Sequence, residues 1–278
     1  MKLTYFGTAA AEGCPAFFCN CDCCRTARER GGKNIRTRSQ ALVNDDLLLD
    51  FPPDTLSHFH QNGVRGDLIE TVLITHFHHD HYFRTDICRH GSYYAYNMEK
   101  EHMRVVCPDK VYRDLTEGLS HVNEKIASTL EVIQAVPYEP MQLGRYRVTP
   151  LPAKHAPGEI AVIYVIEDGE KCLLYAHDTG YFYDEVLEYI QKAGWHFDLA
   201  SFDCTHAQLP CSNEKKHMGL DTVDRLTARL RELGAIDDSS RLFVNHFSHN
   251  GNPLHEEMEE KARELGFEVS YDGCAVTF

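Results

Sequence analysis

Four histidines and one aspartate fall within residues 75–81, in the sequence THFHHDH. This segment follows an apolar, β-branched run at residues 71–75 that predicts a buried strand, so the histidines lie in the loop where that strand ends. Packing does not explain so many imidazoles in one loop, whereas metal binding does. Alternate imidazoles can turn toward one centre, while the aspartate and the adjacent histidine reach a second. The spacing therefore predicts two metal ions held a few Å apart.

A second cluster of potential metal ligands lies near the N terminus, where residues 19–24 (CNCDCC) contain four thiols. The chain has 11 cysteines, and an odd number cannot pair completely in intramolecular disulfides. Because the opening MKLTYFG lacks an apolar core of signal-peptide length, we expect a reducing, cytoplasmic environment. Clustered thiols then indicate a bound soft metal, and a redox-active or merely reduced cluster is the alternative.

The acidic composition argues against long polyanionic partners. The formal net charge is −14, and no run of Lys or Arg forms a basic stripe. We therefore expect no nucleic-acid polymer as a partner, although a cationic metal site can still bind a small anion. The longest apolar run, residues 160–166, is too short to span a bilayer, so we expect no membrane partner.

The order of predicted elements favours a layered α/β fold in one domain, residues 1–278. Short strands dominate the N-terminal half, and Asp168-Gly169 predicts a hairpin turn between two of them. Strands are predicted at residues 2–6, 41–43, 47–50, 71–75, 104–107, 146–150, 160–167 and 171–176.

Helices and strands alternate toward the C terminus. Apolar residues at helical spacing predict a helix over residues 221–233, with Asp221 as N-cap and Gly234 as the stop. A second helix is predicted near residues 253–265, and strands follow at 242–245 and 268–271. Hairpins followed by helix–strand units indicate sheets covered by helices.

The THFHHDH segment resembles the HxHxDH motif of the metallo-β-lactamase superfamily. This resemblance implies a four-layer αββα sandwich and two adjacent metal ions, which are Zn, Mn or Fe. It implies that the first ion is bound by His76, His78 and His155, the second by Asp80, His81 and His246, and that Asp178 bridges them.

Two such cations would activate a water that bridges them, so the protein need not supply a nucleophile. Asp80 is a catalytic candidate because it can orient that water as well as bind metal. Asp50 and Asp203 are candidates for holding the imidazoles from behind, with a turn or cap role as the alternative. We expect His79 to point away from the metals.

The chain also resembles the PhnP-type phosphodiesterases over nearly its whole length. The matching segments are GTAAAEGCPAF, the cysteine run, THFHHDH, AHDTG, FDCTH and VNHFSH. This resemblance implies a structural zinc bound by Cys19, Cys21, Cys24 and His249, with Cys23 as an alternative to Cys24. It also implies that His217 reaches over the metals toward a scissile phosphate, where it can act as an acid or bind an oxygen. A polar-loop histidine is the alternative reading of His217, and a catalytic role for His206 stays open.

Taken together, these resemblances predict a dinuclear metal-dependent hydrolase that cleaves a small cyclic or nucleotide-like phosphodiester. One alternative is an oxidoreductase like the PqqB branch, in which ligands tend to be lost, whereas none is lost here. Another is a hydrolase of other esters, thioesters, lactones or β-lactams. The relatives suggest a homodimer. Residues 82–103 depart from the PhnP-type pattern and leave the substrate open.

Overall fold

The computed structural model describes residues 1–91 and 93–278, and alternating apolar residues build its strands into two sheets. The strands are β1 (Lys2–Gly7), β2 (Gln40–Val43), β3 (Leu47–Leu49), β4 (Thr71–Leu73), β5 (Met103–Cys107), β6 (Leu130–Gln134), β7 (Met141–Leu143), β8 (Tyr146–Pro152), β9 (Val162–Glu167), β10 (Cys172–Ala176), β11 (Leu199–Asp203), β12 (Arg241–Asn245), β13 (Glu268–Val269) and β14 (Ala275–Thr277). The first sheet has the order β14-β1-β2-β3-β4-β5-β6 and the second β13-β12-β11-β10-β9-β8-β7.

Helices cover the outer faces of both sheets. They are α1 (Asp22–Arg30), α2 (Thr55–Asn62), α3 (Arg84–Ile87), α4 (Asp109–Ser120), α5 (Glu124–Ala127), α6 (Asp184–Ala193), α7 (Leu220–Glu232) and α8 (His255–Glu264). Apolar residues of α4 join the outer core of the first sheet, and those of α6, α7 and α8 join the outer core of the second. None of the helices within the described residues is long and apolar enough to cross a membrane.

Side-chain alternation explains the layers. Leu47 and Leu49 of β3 point into the core between the sheets, whereas Leu48 points to the helices outside. In the same way, Leu173 of β10 faces the other sheet and Leu174 faces the helices. The result is the αββα sandwich that the superfamily resemblance implied.

The sheet topology brings the predicted ligands to one edge of the sandwich. Strands β10, β11 and β12 run parallel in the second sheet, and β3 and β4 run parallel in the first. Their carboxyl ends lead into the segments that carry Asp50, residues 75–81, Asp178, Asp203 and His246. Residues that are far apart in sequence therefore meet at the mouth between the sheets.

Several predicted elements need correction. Asp221 is not the N-cap of its helix, because α7 begins at Leu220 after Gly219, and the Asp221 carboxylate instead accepts a hydrogen bond from the Cys211 amide at 3.0 Å. The C-terminal helix begins at His255 rather than at residue 253. The cysteine run extends into a helix that the sequence did not predict, since α1 begins at Asp22. The hairpin between β9 and β10 around Asp168-Gly169 is confirmed.

A buried histidine at the start of α8 makes stability depend on pH. His255 is 2% exposed, and its Nδ1 lies 3.3 Å from the Arg36 guanidinium, which only donates. Burial, followed by the charge of Arg36, lowers the pKa of His255 to about 4. The folded protein therefore binds this proton less readily than the unfolded chain, whose histidine has a pKa near 6.5. The stability that His255 contributes is present above pH 6.5 and is lost as pH falls toward 4.

We expect His255→Gln to flatten this part of the pH profile. Between pH 7 and pH 5 the wild type should lose about 2 kcal/mol more free energy of unfolding than the variant, because glutamine does not titrate. Urea unfolding at both pH values measures the difference, with exposed His102→Gln as the control. If wild type and His255→Gln lose the same free energy of unfolding between pH 7 and pH 5, His255 does not cause the pH dependence.

Candidate metal centre

Asp50, at the end of a strand in the first sheet, holds residues 75–81, which we call the histidine loop. It follows β3 with a φ of 64°, and its Oδ1 accepts hydrogen bonds from the Thr75 amide at 2.8 Å and the Thr75 hydroxyl at 2.9 Å. Its Oδ2 lies 2.7 Å from His81 Nδ1. This contact orients the imidazole so that Nε2 faces the other ligands, which is the role predicted for a carboxylate behind a metal-binding histidine.

Two groups of four donors form at the mouth between the sheets, and the donor atoms within each group lie within 4.8 Å of one another. The first group contains His76, His78, His155 and Asp178, and the second contains Asp80, His81, Asp178 and His246. A further set of potential donors, Asp178, Asp203, His217 and His246, overlaps the second group through Asp178 and His246. The structure thus brings together all seven residues that the superfamily resemblance assigned to the two ions.

Asp178 belongs to both groups. Its Oδ2 lies 2.9 Å from His81 Nε2 and 3.2 Å from His76 Nε2. The His246 Nε2 lies 3.5 Å from the same oxygen. A carboxylate in this position can serve two cations at once, as predicted for a bridging ligand.

The donor atoms fit a pair of divalent cations. Among the described residues, His76 Nε2, His155 Nδ1 and Asp178 Oδ1 are buried and form no hydrogen bond. Buried polar atoms without a partner are costly unless something else binds them. Imidazole nitrogens and carboxylate oxygens suit Zn, Mn and Fe alike.

The protonation states also suit cations. Burial, reinforced by His81, lowers the pKa of His76 to about 3, and burial lowers that of His155 to about 4, so both imidazoles keep a free lone pair near neutral pH. Burial alone would raise the pKa of Asp178, but His246, His76 and His81 outweigh it and hold that pKa well below its usual range. The shared carboxylate is therefore ionised.

His217 lies over the donor groups. Its Nδ1 is 3.0 Å from Oδ2 of the buried Asp203 and 3.2 Å from Asp178 Oδ1, and its ring lies 4.9 Å from that of His155. Burial lowers the pKa of His217, but Asp203 and then Asp178 outweigh burial and raise it to about 9. Its side chain remains 25% exposed, so a protonated ring can face an anion in the open mouth.

Asp203, His79 and His206 occupy different surroundings. Asp203 ends β11 and accepts hydrogen bonds from the Thr205 and Met218 amides at 3.0 and 2.9 Å, which fixes the carboxylate beside His217. His79 is exposed and belongs to neither donor group. His206 lies at the rim, with its ring centroid 6.2 Å from that of His217.

A third donor group lies at the start of α1. Donor atoms of Cys19, Cys21, Cys24 and His249 lie within 4.8 Å of one another, and Cys21 Sγ is 3.5 Å from His249 Nδ1. Hydrogen bonding from the Cys24 backbone and from His249 lowers the pKa of Cys21 to about 6. Three thiols and an imidazole form a donor set that suits a closed tetrahedral zinc site.

Cys23 lies outside this third donor group. It packs in a buried cluster with Cys14, Ala27 and Leu254. Its hydrogen bond with Cys14 and burial raise the pKa of the Cys23 thiol, which keeps it neutral. Consecutive residues of a helix point about 100° apart, so only one of Cys23 and Cys24 can face His249.

Two cationic side chains near the mouth, Arg38 and Lys110, were not predicted from the sequence. A cavity of about 430 Å³ adjoins the donors and is lined by Arg38, Phe77, His78, Asp80 and Lys110, among others. Isolated basic residues carry no pattern that would mark them in a sequence. A larger cavity of about 740 Å³ lies near α3 and α4, and none of the donor residues is among its lining residues.

The sequence profile of the β-lactamase superfamily domain matches residues 47–247. The chain therefore belongs to the β-lactamase superfamily, and its fold is the metallo-β-lactamase fold. The matched range contains all seven residues of the two histidine and aspartate donor groups.

Full-length relatives carry two different names. The chain is 25% identical to coenzyme PQQ synthesis protein B of Acinetobacter baumannii (strain SDF) and 26% identical to that of Methylococcus capsulatus, with 99% of each chain covered. It superposes on Zn²⁺-bound PqqB from Methylobacterium extorquens with a TM-score of 0.75 at 19% identity, covering 100% of both chains. A diphosphatase from the PhnP family superposes with a TM-score of 0.74 at 21% identity, covering 100% of this chain and 96% of that one.

Proposed function

We propose that this protein is a dinuclear metal-dependent phosphodiesterase that acts on a small phosphodiester. The observation that carries the proposal is the position of Asp178 between two complete donor groups, with His217 directly above them. All seven predicted ligand positions carry His or Asp, which favours a catalytic metal pair over a purely binding role.

The side chains divide the work of such a reaction. A bound pair of divalent cations supplies an activated water and polarises the phosphorus–oxygen bond. Asp203 holds Nδ1 of His217, which leaves Nε2 toward the open mouth. From there a protonated ring can bind a phosphoryl oxygen or donate a proton to the leaving oxygen. Asp80 Oδ2 lies 3.3 Å from His81 Nε2, and its carboxylate would orient such a water.

Charge and size favour a small anionic substrate. The net charge of −14 repels a nucleic-acid polymer, whereas the cavity next to the donors is lined by Arg38 and Lys110, which pair with the carboxylates of Asp54 and Glu159. A cavity of about 430 Å³ suits a nucleotide-sized molecule. The diphosphatase named among the structural relatives is consistent with phosphate chemistry in this fold.

A second candidate function comes from the relatives named coenzyme PQQ synthesis protein B, which align over nearly the whole chain. On this reading the donor groups bind iron and the reaction consumes oxygen. The two candidates differ in a direct observation, because only the second requires bound iron and oxygen uptake.

A substrate panel tests the first candidate. We expect the purified protein, loaded with Mn²⁺ or Zn²⁺, to cleave bis-p-nitrophenyl phosphate, other p-nitrophenyl phosphodiesters or ribose cyclic phosphates. Esters, thioesters and lactones complete the panel. Failure on every phosphodiester with both ions bound would reject the proposal.

His217→Ala should separate catalysis from metal binding. We expect kcat to fall by about a hundredfold, the size of a typical general-acid contribution, while metal content stays that of the wild type. Elemental analysis and steady-state kinetics measure the two effects. His60→Ala, which changes an exposed histidine of α2, is the control and should change kcat by less than about threefold. A fall in metal content in His217→Ala would instead make His217 a ligand.

A further inference from the structure

Asp178 and His246 leave the second sheet from strands that are not neighbours. β11 lies between β10 and β12, so backbone pairing within this sheet does not set the spacing of the two ligands directly. Both residues have positive φ angles, 54° and 64°. Non-glycine residues adopt that conformation infrequently, and the surrounding structure must offset its cost. Side-chain contacts must therefore contribute to the spacing.

The residues just before the two ligands meet beneath the site. His177 precedes Asp178 and Asn245 precedes His246, and both side chains are buried. Asn245 Nδ2 lies 3.0 Å from His177 Nδ1, across β11. An amide nitrogen only donates, so Nδ1 accepts and the ring proton is on Nε2. That Nε2 donates to Ser201 Oγ of β11 at 2.6 Å.

Two further hydrogen bonds extend this network. The Tyr5 hydroxyl of β1, in the first sheet, lies 2.9 Å from Ser201 Oγ, and the Ser270 hydroxyl lies 2.6 Å from Asn245 Oδ1. We call His177, Asn245, Ser201, Tyr5 and Ser270 the inter-sheet tether. All five are buried. A buried polar network in which the groups are hydrogen-bonded is rigid, because breaking any hydrogen bond leaves a buried polar atom without a partner.

We propose that His177 and Asn245 are positioning residues, which hold His246 at the distance from Asp178 that the second donor group requires. The inference rests on the metal pair of the proposed function. It has a site-selective consequence, because His246 belongs to the second donor group and not to the first. The first group takes His76 and His78 from the histidine loop, residues 75–81, and His155 from the loop after β8, and it shares Asp178 with the second. Breaking the tether should therefore weaken the second ion and spare the first.

Four variants test the tether. Asn245→Leu and His177→Leu keep much of the buried volume and remove the hydrogen bonds. His177→Gln is the conservative rescue, because its amide can accept from Asn245 and donate to Ser201. Thr149→Val is the matched control, since it removes a buried hydroxyl of β8 that forms no hydrogen bond among the described residues.

The experiment measures the binding of Mn²⁺ alone to chelator-treated protein. Calorimetry gives the affinities, and electron paramagnetic resonance shows whether the two ions are coupled. We expect the wild type and Thr149→Val to take up two ions and give the spectrum of an exchange-coupled pair. In both leucine variants the affinity for the second ion should fall by about 10- to 100-fold, the usual effect of losing a contact behind a metal ligand. The affinity for the first ion should change little, and His177→Gln should restore the coupled spectrum.

The outcomes separate the tether from the proposed function. A wild type that binds no coupled pair overturns both. A coupled wild type whose leucine variants lose both ions equally, or keep the second ion at full affinity, overturns the tether alone. If the leucine variants do not fold, Ser201→Ala removes the hydroxyl that accepts hydrogen bonds from His177 Nε2 and from Tyr5. An unchanged ratio of the two affinities would then decide against the tether.

Discussion

Replacing Asp178 by alanine should abolish turnover. Its carboxylate is shared by both donor groups, so its loss removes a ligand from two ions at once and leaves adjacent imidazoles without their common anion. We expect kcat/KM to fall by at least about a thousandfold, equivalent to roughly 4 kcal/mol of transition-state stabilisation. Elemental analysis should show that the ions of the pair are lost, while zinc at the cysteine site remains.

The matched control is Asp184→Ala, which removes an exposed carboxylate at the start of α6. It should retain both the metal content and the rate of the wild type. An Asp178→Ala protein that keeps two ions and a tenth or more of the activity would show that the aspartate does not bridge them.

Replacing Cys21 by serine should mainly affect folding. Cys21 joins the thiols at the start of α1 to His249, a contact between residues 228 positions apart. Zinc at such a site stabilises the folded chain because the ligands come together only there. We expect the variant to lose this zinc and about 3 kcal/mol of stability, which corresponds to a Tm lower by roughly 6–12 °C.

Cys23→Ser is the control for this prediction. Unlike the exposed Cys21, Cys23 is buried in the first turn of α1, where its side chain packs with Cys14 and Leu254. It should keep the zinc, although a hydroxyl in an apolar cluster lowers stability by about 1 kcal/mol. If Cys23→Ser releases zinc and Cys21→Ser does not, the ligand assignment is wrong.

The donor groups could be predicted because their residue types and chain order are unusual. Residues 75–81 carry the signal themselves, and His155, Asp178 and His246 follow in the order that the superfamily resemblance implies. The choice between Cys23 and Cys24 could not be made, since it depends on the helical phase of α1. The sequence did not predict that helix, because it has few apolar residues and begins within the cysteine run.

Other features required the structure because they depend on distant contacts. Helices α2, α4 and α6 were not predicted from the sequence. Packing against the sheets stabilises them. The tether joins His177 to Asn245 across an intervening strand, and nothing local to either residue indicates the partner. Asp221 has the residue type of an N-cap, but hydrogen bonding to Cys211 places it inside the first turn.

The loop after β12 supplies His246 to one centre and His249 to another. During synthesis, neither centre can therefore close until that loop has left the ribosome, when most of the chain is already exposed. Contacts of such long sequence separation form late and slowly. We therefore expect metal ions to bind at both centres only in the last stage of folding, after translation of nearly the whole polypeptide.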